Sequence, residues 1–537
     1  MAKVTALQSD RARSGAWTKP SLRHALADQD RFVVVAEVVT SRGLITEKRG
    51  RDILALAREL VDEPRIDALS ITDNPGGNAM LSPDTLGTDL LARGQDVIIH
   101  LSCKDWNRNA LQSRAWMLSS EGFHNVLALS GDYPVAGYDG VARPVFDIDS
   151  VALLQMLSEL NAGGAPERPG TVPTGQTDFF LGAVVTNHKL LEREVMPQYF
   201  KLRKKISSGA AFVINQVGYN ARKDDELLRW MRLHGLQVPV IANVFVLGPA
   251  VARTFHAGRI PGVVVTDTLL ELVQRHARAT DKGRSFFLDL AARQVAIARG
   301  LGFSGAYLGG HLRADDYGTI LELADSFAPN DWRAFARELQ FDQPDEFYFF
   351  ERDPETGLSA VEVNAAYLDS RRDRRPALRV PLRYRFSRLA HEAAFAEDAP
   401  LRGVGKKLYG AVEQGPKPVG RALHLLEQAG KVALFGCRDC GDCSLPEIAY
   451  LCPESQCAKN QRNGPCGGTR QGVCEVGEKQ CIWALAYERL KAYGQEEAML
   501  DGPVVTTDNA LQGTSAWANA FLGHDHQGRS GRRESQA

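Results

Sequence analysis

Apolar residues are not spread evenly over the first three hundred positions. They gather in short runs: "RFVVVAEV" (31–38), "DALSIT" (67–72), "DVIIHL" (96–101), "HNVLALS" (124–130), "FFLGAVV" (179–185), "AFVINQ" (211–216), "VPVIANVFV" (238–246) and "FSGAYLG" (303–309). Each run is nearly continuous in apolar character, as expected of a strand covered on both faces in a parallel sheet. Between them, stretches such as "EKRGRDILALARELV" (47–61), "NRNALQSRAWMLSSEG" (107–122) and "DDELLRWMRLHG" (224–235) carry the three- and four-residue apolar spacing of helices. Eight strands alternating with helices predict an α/β chain with a (β/α)8 TIM barrel over 20–325. A doubly wound open sheet is the rival, disfavoured because eight units lack a Gly-rich first turn.

A barrel of this kind carries its chemistry just beyond the C-terminal ends of its strands. The polar residues there are Glu37, Thr72, Asp73, His100, Asp132, Asn187, Gln216 and His311. Any one of them is explained by a helix cap, a turn or a core hydrogen bond. Recurrence at most of the eight ends points to a site.

Beyond residue 330 the pattern changes. A connecting segment, 326–400, contains "EFYFFERDPETGLS" (346–359), which predicts a hairpin around a "DPETG" turn. "DSRRDRRPALRVPLRYRF" (369–386) is a basic stretch of the kind that stays solvated. "GVGKKLYG" (403–410) has dinucleotide-like glycines, but no suitable strand precedes it and its spacing is wrong. A small cysteine-rich, metal-binding domain is expected over 401–500, ending in the helix "CIWALAYERLKAYG", and a polar tail, 501–537, is expected to be disordered.

Length and composition sharpen this. A chain of 537 residues exceeds one ordinary core, and 44% hydrophobic with 24% charged residues describes a soluble globular protein. A formal net charge of -1 argues against nucleic acid or a membrane surface as partner. The opening "MAKVTALQSDRARSGAWTKP" has no apolar signal core, and no run is long enough to span a bilayer, so neither export nor membrane insertion is expected and the setting is cytoplasmic. In a reducing compartment, clustered thiols are metal ligands far more often than disulfides.

Eight of the nine cysteines lie in one segment: Cys437, Cys440, Cys443, Cys452, Cys457, Cys466, Cys474 and Cys481. Eight thiolates suit two four-ligand sites. The opening C-x2-C-x2-C, with Cys452-Pro453 after it, echoes ferredoxin-type [4Fe-4S] motifs, although eight intervening residues exceed the usual three. Zinc is the alternative; it usually takes paired C-x2-C knuckles, which the later cysteines do not form.

"LSITDNPGGN", "IIHLSCKDWNRNALQS", "NVLALSGDYP" and "GAAFVINQ" strongly resemble methylenetetrahydrofolate reductase, over about residues 20–320. The resemblance is closest to the divergent branch found with, or fused to, a small cysteine-rich partner. "CGDC", "NGPCGG" and "CIWALAYERLK" resemble that partner, the second subunit of acetogen-type reductases. The resemblance implies FAD over the barrel mouth and hydride transfer converting 5,10-methylenetetrahydrofolate to 5-methyltetrahydrofolate, or the reverse, in one-carbon metabolism that feeds methionine. It implies that Glu37 is the acid, that Asp132 serves the flavin and the pterin, and that Gln216 contacts folate. It places Ser70, His100, Ser130, Lys204 and Lys205 at flavin-contacting positions.

There are departures. Gln198 and Lys201 stand where the family has Asp and Asn, and Ser130 replaces an arginine; FMN is therefore the alternative flavin. Cys103 reads as a small buried packing residue. Clusters would suggest a one-electron partner such as ferredoxin, whereas a flavin alone can take hydride from NAD(P)H; a homo-oligomer is expected. A folate-linked methyltransferase and a non-catalytic docking protein of a corrinoid pathway are the competing functions.

Overall fold

The computed structural model describes residues 19–163, 174–372 and 380–534. Most of the opening segment read for export signals, the middle of the basic stretch and the last three residues lie outside these. Two compact units emerge: Met1–Asn364 with Gly467–Gln471, and Ala365–Cys466 with Gly472–Ala537. Among the described residues no helix is long and apolar enough to cross a membrane.

In the first unit, β1 (Val33–Val38), β2 (Ala68–Ile71), β3 (Asp96–Ser102), β4 (Asn125–Leu129), β5 (Phe180–Val185), β6 (Phe212–Asn215), β7 (Val240–Val246) and β8 (Gly305–Gly310) close into a parallel barrel in sequence order. The closing pair is β8 with β1, Val35 opposite Tyr307. This is the (β/α)8 architecture expected. Side chains alternate along a strand, so residues two apart share a face. Val33, Val35, Ala68, Ile98, Leu127, Phe212, Ile214, Ile241 and Tyr307 form one buried cluster, which fills the barrel and makes it a packed core rather than a pore. Gly182 on β5 leaves room for it: a Cβ there would lie 2.3 Å from the Phe212 ring.

The helix Leu22–Ala27 plugs the other end, burying Leu22, Ala25 and Leu26 against the same cluster. Ser21 caps it, its side chain accepting from the His24 N–H. The Leu22 N–H, left free by the helix start, donates to Asp96 Oδ2 at 2.6 Å, and Asn125 Nδ2 donates to Asp96 Oδ1 at 2.8 Å.

The expected hairpin is present as β9 (Phe350–Arg352) and β10 (Ser359–Val363), antiparallel, with Asp353 accepting from the Glu355 and Thr356 N–H groups in its turn. It belongs to the barrel unit instead of to a separate connector. The Ser359 N–H donates to Asp225 Oδ2, and the Lys223 ammonium stands 4.4 Å from the Tyr348 ring centroid. A buried Lys223 and Glu226 pair on the helix Ala221–Leu233 receives the aromatic run, Glu226 accepting from the Phe349 N–H.

The second unit is helical, with Ala365–Arg372, Leu382–Ala394, Arg402–Gln414, Lys417–Phe435 and Ile482–Lys491 as its principal helices before residue 500. The glycines of "GVGKKLYG" fall inside one of them, so that stretch is no phosphate-binding turn. The tail is the main correction. Residues 501–534, expected to be disordered, contain helices Ala516–Leu522 and His526–Glu534. Composition misses them because the anchors are few and specific. Phe521 stacks on Phe395 at 4.9 Å, and Asn519 Nδ2 donates to the Gly441 carbonyl. His526 is buried between Asp442 (2.6 Å) and Glu447 (3.1 Å), and Arg529 Nη2 reaches Asp442 Oδ2 at 2.7 Å. Burial opposes the charge on His526, yet its hydrogen bonds and the two carboxylates raise it to about 10. Burial likewise works against the Asp442 carboxylate, but the same partners hold it below the usual range.

His526 therefore contributes stability fully below its ordinary 6.5, and that contribution is lost as pH rises through about 10. His526→Leu should destabilise the unit by about 3–5 kcal/mol at pH 7 by stranding two carboxylates. Thermal unfolding of the full chain checks this: the midpoint falls, and the gap from wild type narrows above pH 10.

Candidate active site

Toward the C-terminal ends of the strands, the inward-facing positions change character. Continuing the two-residue alternation from the core carries Val33 and Val35 to Glu37, Ala68 to Ser70, Ile98 to His100, and Phe212 and Ile214 to Gln216. Strand geometry thus sets a ring of polar groups on top of an apolar plug.

Glu37 is the acid of the ring. Tyr307 Oη on β8 donates to Glu37 Oε1 at 3.2 Å. Burial pushes the carboxyl up to about 7, with the Tyr307 hydrogen bond acting in the opposite direction. Gly309 keeps the other oxygen accessible: a Cβ there would come within 2.7 Å of Glu37 Oε2 and 3.2 Å of the Phe245 ring. Tyr317 Oη donates to the Glu37 carbonyl at 3.4 Å.

Beside it, Ser70 Oγ and His100 Nε2 are 2.8 Å apart, and Ser70 also interacts with the Tyr307 hydroxyl. Burial pushes His100 down to about 4, so its ring is neutral at physiological pH. Glu37, Tyr307, Ser70 and His100 form one connected network across β1, β8, β2 and β3. Tyr307 was not singled out from sequence, although its place in "FSGAYLG", two residues before Gly309, puts it on the inward face.

The other sequence candidates are placed as follows. Asp132 Oδ2 accepts from the Gly76 N–H at 2.7 Å, stitching the loop after β4 to the turn after β2. That turn needs its glycine, since a Cβ on Gly77 (φ +72) would lie 2.1 Å from the Tyr133 carbonyl oxygen. Asp73 accepts from the Ser102 N–H and hydroxyl, and burial raises its carboxyl. Ser130 is buried, its hydroxyl 3.4 Å from that of Ser150. Gln216 Oε1 accepts from the Val217 N–H at 2.9 Å. Lys204 is half-buried on the helix Glu192–Ser207, whereas Lys205 is buried and donates to the Val184 carbonyl at 2.6 Å. Asn187 donates to Asp224, and His311 is exposed. Neither joins the network around Glu37.

Several buried polar atoms near this face have no partner: Thr40 Oγ1, Ser41 Oγ, Thr72 Oγ1 and Gln198 Nε2. Natural interiors rarely leave such atoms unpaired. At the functional end of a barrel they suit a polar ligand such as a flavin. Cys103, by contrast, is fully buried and its thiol is pushed well up by burial, as befits a packing residue with no part in nucleophilic or methyl-accepting chemistry.

None of the eight C-terminal thiols is in a disulfide, and the electrostatic influences among them run within consecutive fours. Cys443 is influenced by Cys440 and Cys452, and Lys431 by Cys443 and Cys437. Cys466 is influenced by Cys457 and Cys481, and Cys481 by Cys457 and Cys474. Backbone N–H groups of Asp439, Gln461 and Val476 point at the sulfurs of Cys437, Cys457 and Cys474 at 3.4–3.5 Å. Buried cations attend both sets, Lys431 and Arg462 in the first and Lys459 in the second. The donors suit a thiophilic metal, yet among the described residues no three or more such side chains converge on a metal position.

An eight-stranded parallel barrel with an acid-bearing polar network at its C-terminal mouth places the chain among the (β/α)8 proteins. Residues 23–271 match the family described as methylenetetrahydrofolate reductase, and residues 418–509 match its C-terminal domain, described as methylene-tetrahydrofolate reductase C terminal. The chain thus carries a methylenetetrahydrofolate reductase domain followed, in one polypeptide, by the cysteine-rich C-terminal domain described with it. No curated protein matches it. Similar solved structures include an uncharacterized protein from Clostridium thermocellum described as binding two copies of 5-methyl-5,6,7,8-tetrahydrofolic acid, at 15% identity and TM-score 0.42, over 56% of this chain and 97% of that one. A 2,3-dimethylmalate lyase of the PEP mutase/isocitrate lyase superfamily follows at 12% and 0.32, over 53% of this chain and 79% of its own. A putative deoxyribose-phosphate aldolase from Toxoplasma gondii ME49 has 10% identity and TM-score 0.29, over 55% and 92% respectively. Likenesses this distant carry no argument about function.

The Glu37 carboxyl makes a prediction that needs no substrate. Folding raises it from 4.5 to about 7, so the folded chain loses stability relative to the unfolded one as pH rises through that interval. The loss is on the order of 3 kcal/mol above pH 7. Glu37→Gln, which cannot ionise, should be more stable than wild type at pH 8 by about that amount and nearly equal at pH 4.5, read from urea midpoints.

Proposed function

We propose that the barrel carries out flavin-dependent reduction of 5,10-methylenetetrahydrofolate to 5-methyltetrahydrofolate, or the reverse. The observation that carries the reading is Glu37: an acid raised to about 7 and hydrogen-bonded by Tyr307, in a chain of this family. Opening the imidazolidine ring requires a proton on the departing nitrogen. A carboxyl with this affinity keeps a proton near neutral pH and still gives it up readily. Because Tyr307 donates to Oε1, the transferable proton belongs on Oε2, the oxygen beside Gly309. A neutral His100 adds no positive charge against the cation that ring opening creates. Asp132, held through one oxygen by the Gly76 N–H, orients the pterin, and Gln216 contacts the folate.

Members of the family generally bind FAD, and the unpartnered hydroxyls of Thr40, Ser41 and Thr72 support a flavin here. Ser70, His100, Ser130, Lys204 and Lys205 are the residues that would hold it, with FMN as the alternative. When bound and reduced, the flavin supplies the hydride. In the second unit, Cys437, Cys440, Cys443 and Cys452 would form one four-thiolate site, and Cys457, Cys466, Cys474 and Cys481 the other. Their sulfur-only donor set suits either [4Fe-4S] clusters or zinc; the C-x2-C-x2-C opening favours clusters, and with clusters a one-electron partner such as ferredoxin over NAD(P)H. A cytoplasmic setting fits eight thiols that form no disulfide.

Anaerobically purified full-length protein should be yellow and should lose its flavin absorbance when 5-methyltetrahydrofolate is added. Glu37→Gln should keep the flavin but lower folate turnover by about 10²–10⁴-fold. A flavin-free chain, or turnover indifferent to Glu37→Gln, would sink the proposal.

Metal analysis of the same preparation should find iron and sulfide. Stoichiometric zinc without iron would end the electron-relay part and leave the barrel chemistry standing.

A further inference from the structure

The segment between Cys466 and Cys474 contains a loop, Gly467–Gln471, that belongs to the barrel unit although the residues on either side of it do not. Lys189, buried in the loop after β5, donates its ammonium to the Gly467 carbonyl at 2.6 Å and also to the Thr469 carbonyl. Gly467 adopts φ +90, and a Cβ there would lie 2.6 Å from Thr186 Oγ1 and 3.7 Å from Gln198 Nε2. Arg470 Nη2 donates to the His256 carbonyl at 3.3 Å.

These contacts converge on Gln216. The point that a Cβ on Gly262 (φ +81) would occupy is 3.0 Å from Gln216 Nε2, 3.3 Å from the Gly467 carbonyl oxygen and 3.4 Å from Thr186 Cγ2. Gln216 Oε1 is already held by the Val217 N–H. The carboxamide is therefore fixed at its oxygen by its own backbone and has Gly262 beside its nitrogen, with Thr186 and the loop close against the same glycine.

We infer that Gly467–Gln471 is a positioning element of the folate end of the barrel, and that the substrate site lacks a wall without it. The loop contributes no reacting group. It holds the chain after β5, through Lys189, and the Gly262 turn at the separation that fits Gln216 to its ligand. This rests on the proposed function, in which Gln216 contacts folate.

The test uses Gly467→Ala in the full chain, with Gly502→Ala as control; Gly502 also has positive φ (+76) but nothing within 4 Å of its added Cβ. Gly467→Ala should raise KM for 5,10-methylenetetrahydrofolate at least tenfold while kcat falls less than threefold. The dissociation constant for 5-methyltetrahydrofolate, read from the flavin spectrum, should rise in step. Adding Thr186→Ala, which removes the clashing hydroxyl, should bring KM back to within threefold of wild type, and Gly502→Ala should leave it unchanged. Should Gly467→Ala fail to fold, Lys189→Met, which removes the donor to both carbonyls, should show the same rise in KM. A folded, flavin-loaded Gly467→Ala or Lys189→Met with wild-type KM overturns this inference alone. So does an equal rise in Gly502→Ala. Wild-type protein without flavin or folate turnover overturns the proposed function, and this inference with it.

Discussion

The open end of the barrel is organised around one carboxyl group largely withdrawn from water. Glu37 sits atop a column of valines, takes a hydrogen bond from Tyr307 and has a glycine rather than a side chain beside its second oxygen. A full ion pair would pull its proton affinity down and a drier pocket would push it higher. One hydrogen bond from a neutral phenol leaves it near 7. The neutral His100 and the Ser70 link belong to the same balance, since a charged imidazole in their place would favour the ionised acid. An acid held near 7 costs stability at higher pH, the kind of cost that functional sites commonly carry.

Much of the barrel was legible in the residues themselves. Continuous β-branched runs announce strands buried on both faces, and all eight correspond to strands of the closed sheet. The two-residue alternation then places Glu37, Ser70, His100 and Gln216 on the inward face without further information. What escaped was whatever depends on partners distant in sequence. Tyr307 looks like any strand aromatic until β8 closes on β1 and brings it to an acid 270 positions earlier. Lys205, which the resemblance places at a flavin phosphate, also donates to the Val184 carbonyl, a contact the sequence alone does not show. The aromatic run after residue 346 looked like a linker because its burial depends on Lys223 and Glu226, charged residues that pattern analysis assigns to a wet helix face.

The tail illustrates the same limit from the opposite side. Its composition is that of a disordered segment, rich in Gly, Ser and Arg, and a hydrophobic count alone would never fold it. Order comes instead from Asp442, a buried carboxylate inside the "CGDC" turn that accepts from Asp508, His526 and Arg529. An anion in that position demands cations and N–H donors, and the tail supplies them. The turn that carries Cys440 and Cys443 is thereby braced by residues some 80 positions downstream.

The interleaving of the chain at Gly467–Gln471 bears on how such a protein can be divided. A cut after residue 364 would release a barrel with every strand intact and yet remove the Gly467 and Thr469 carbonyls that accept from Lys189. Dividing the chain at the apparent border would thus part the barrel from a loop that packs as one of its own. Such a boundary favours keeping both stretches in one continuous polypeptide.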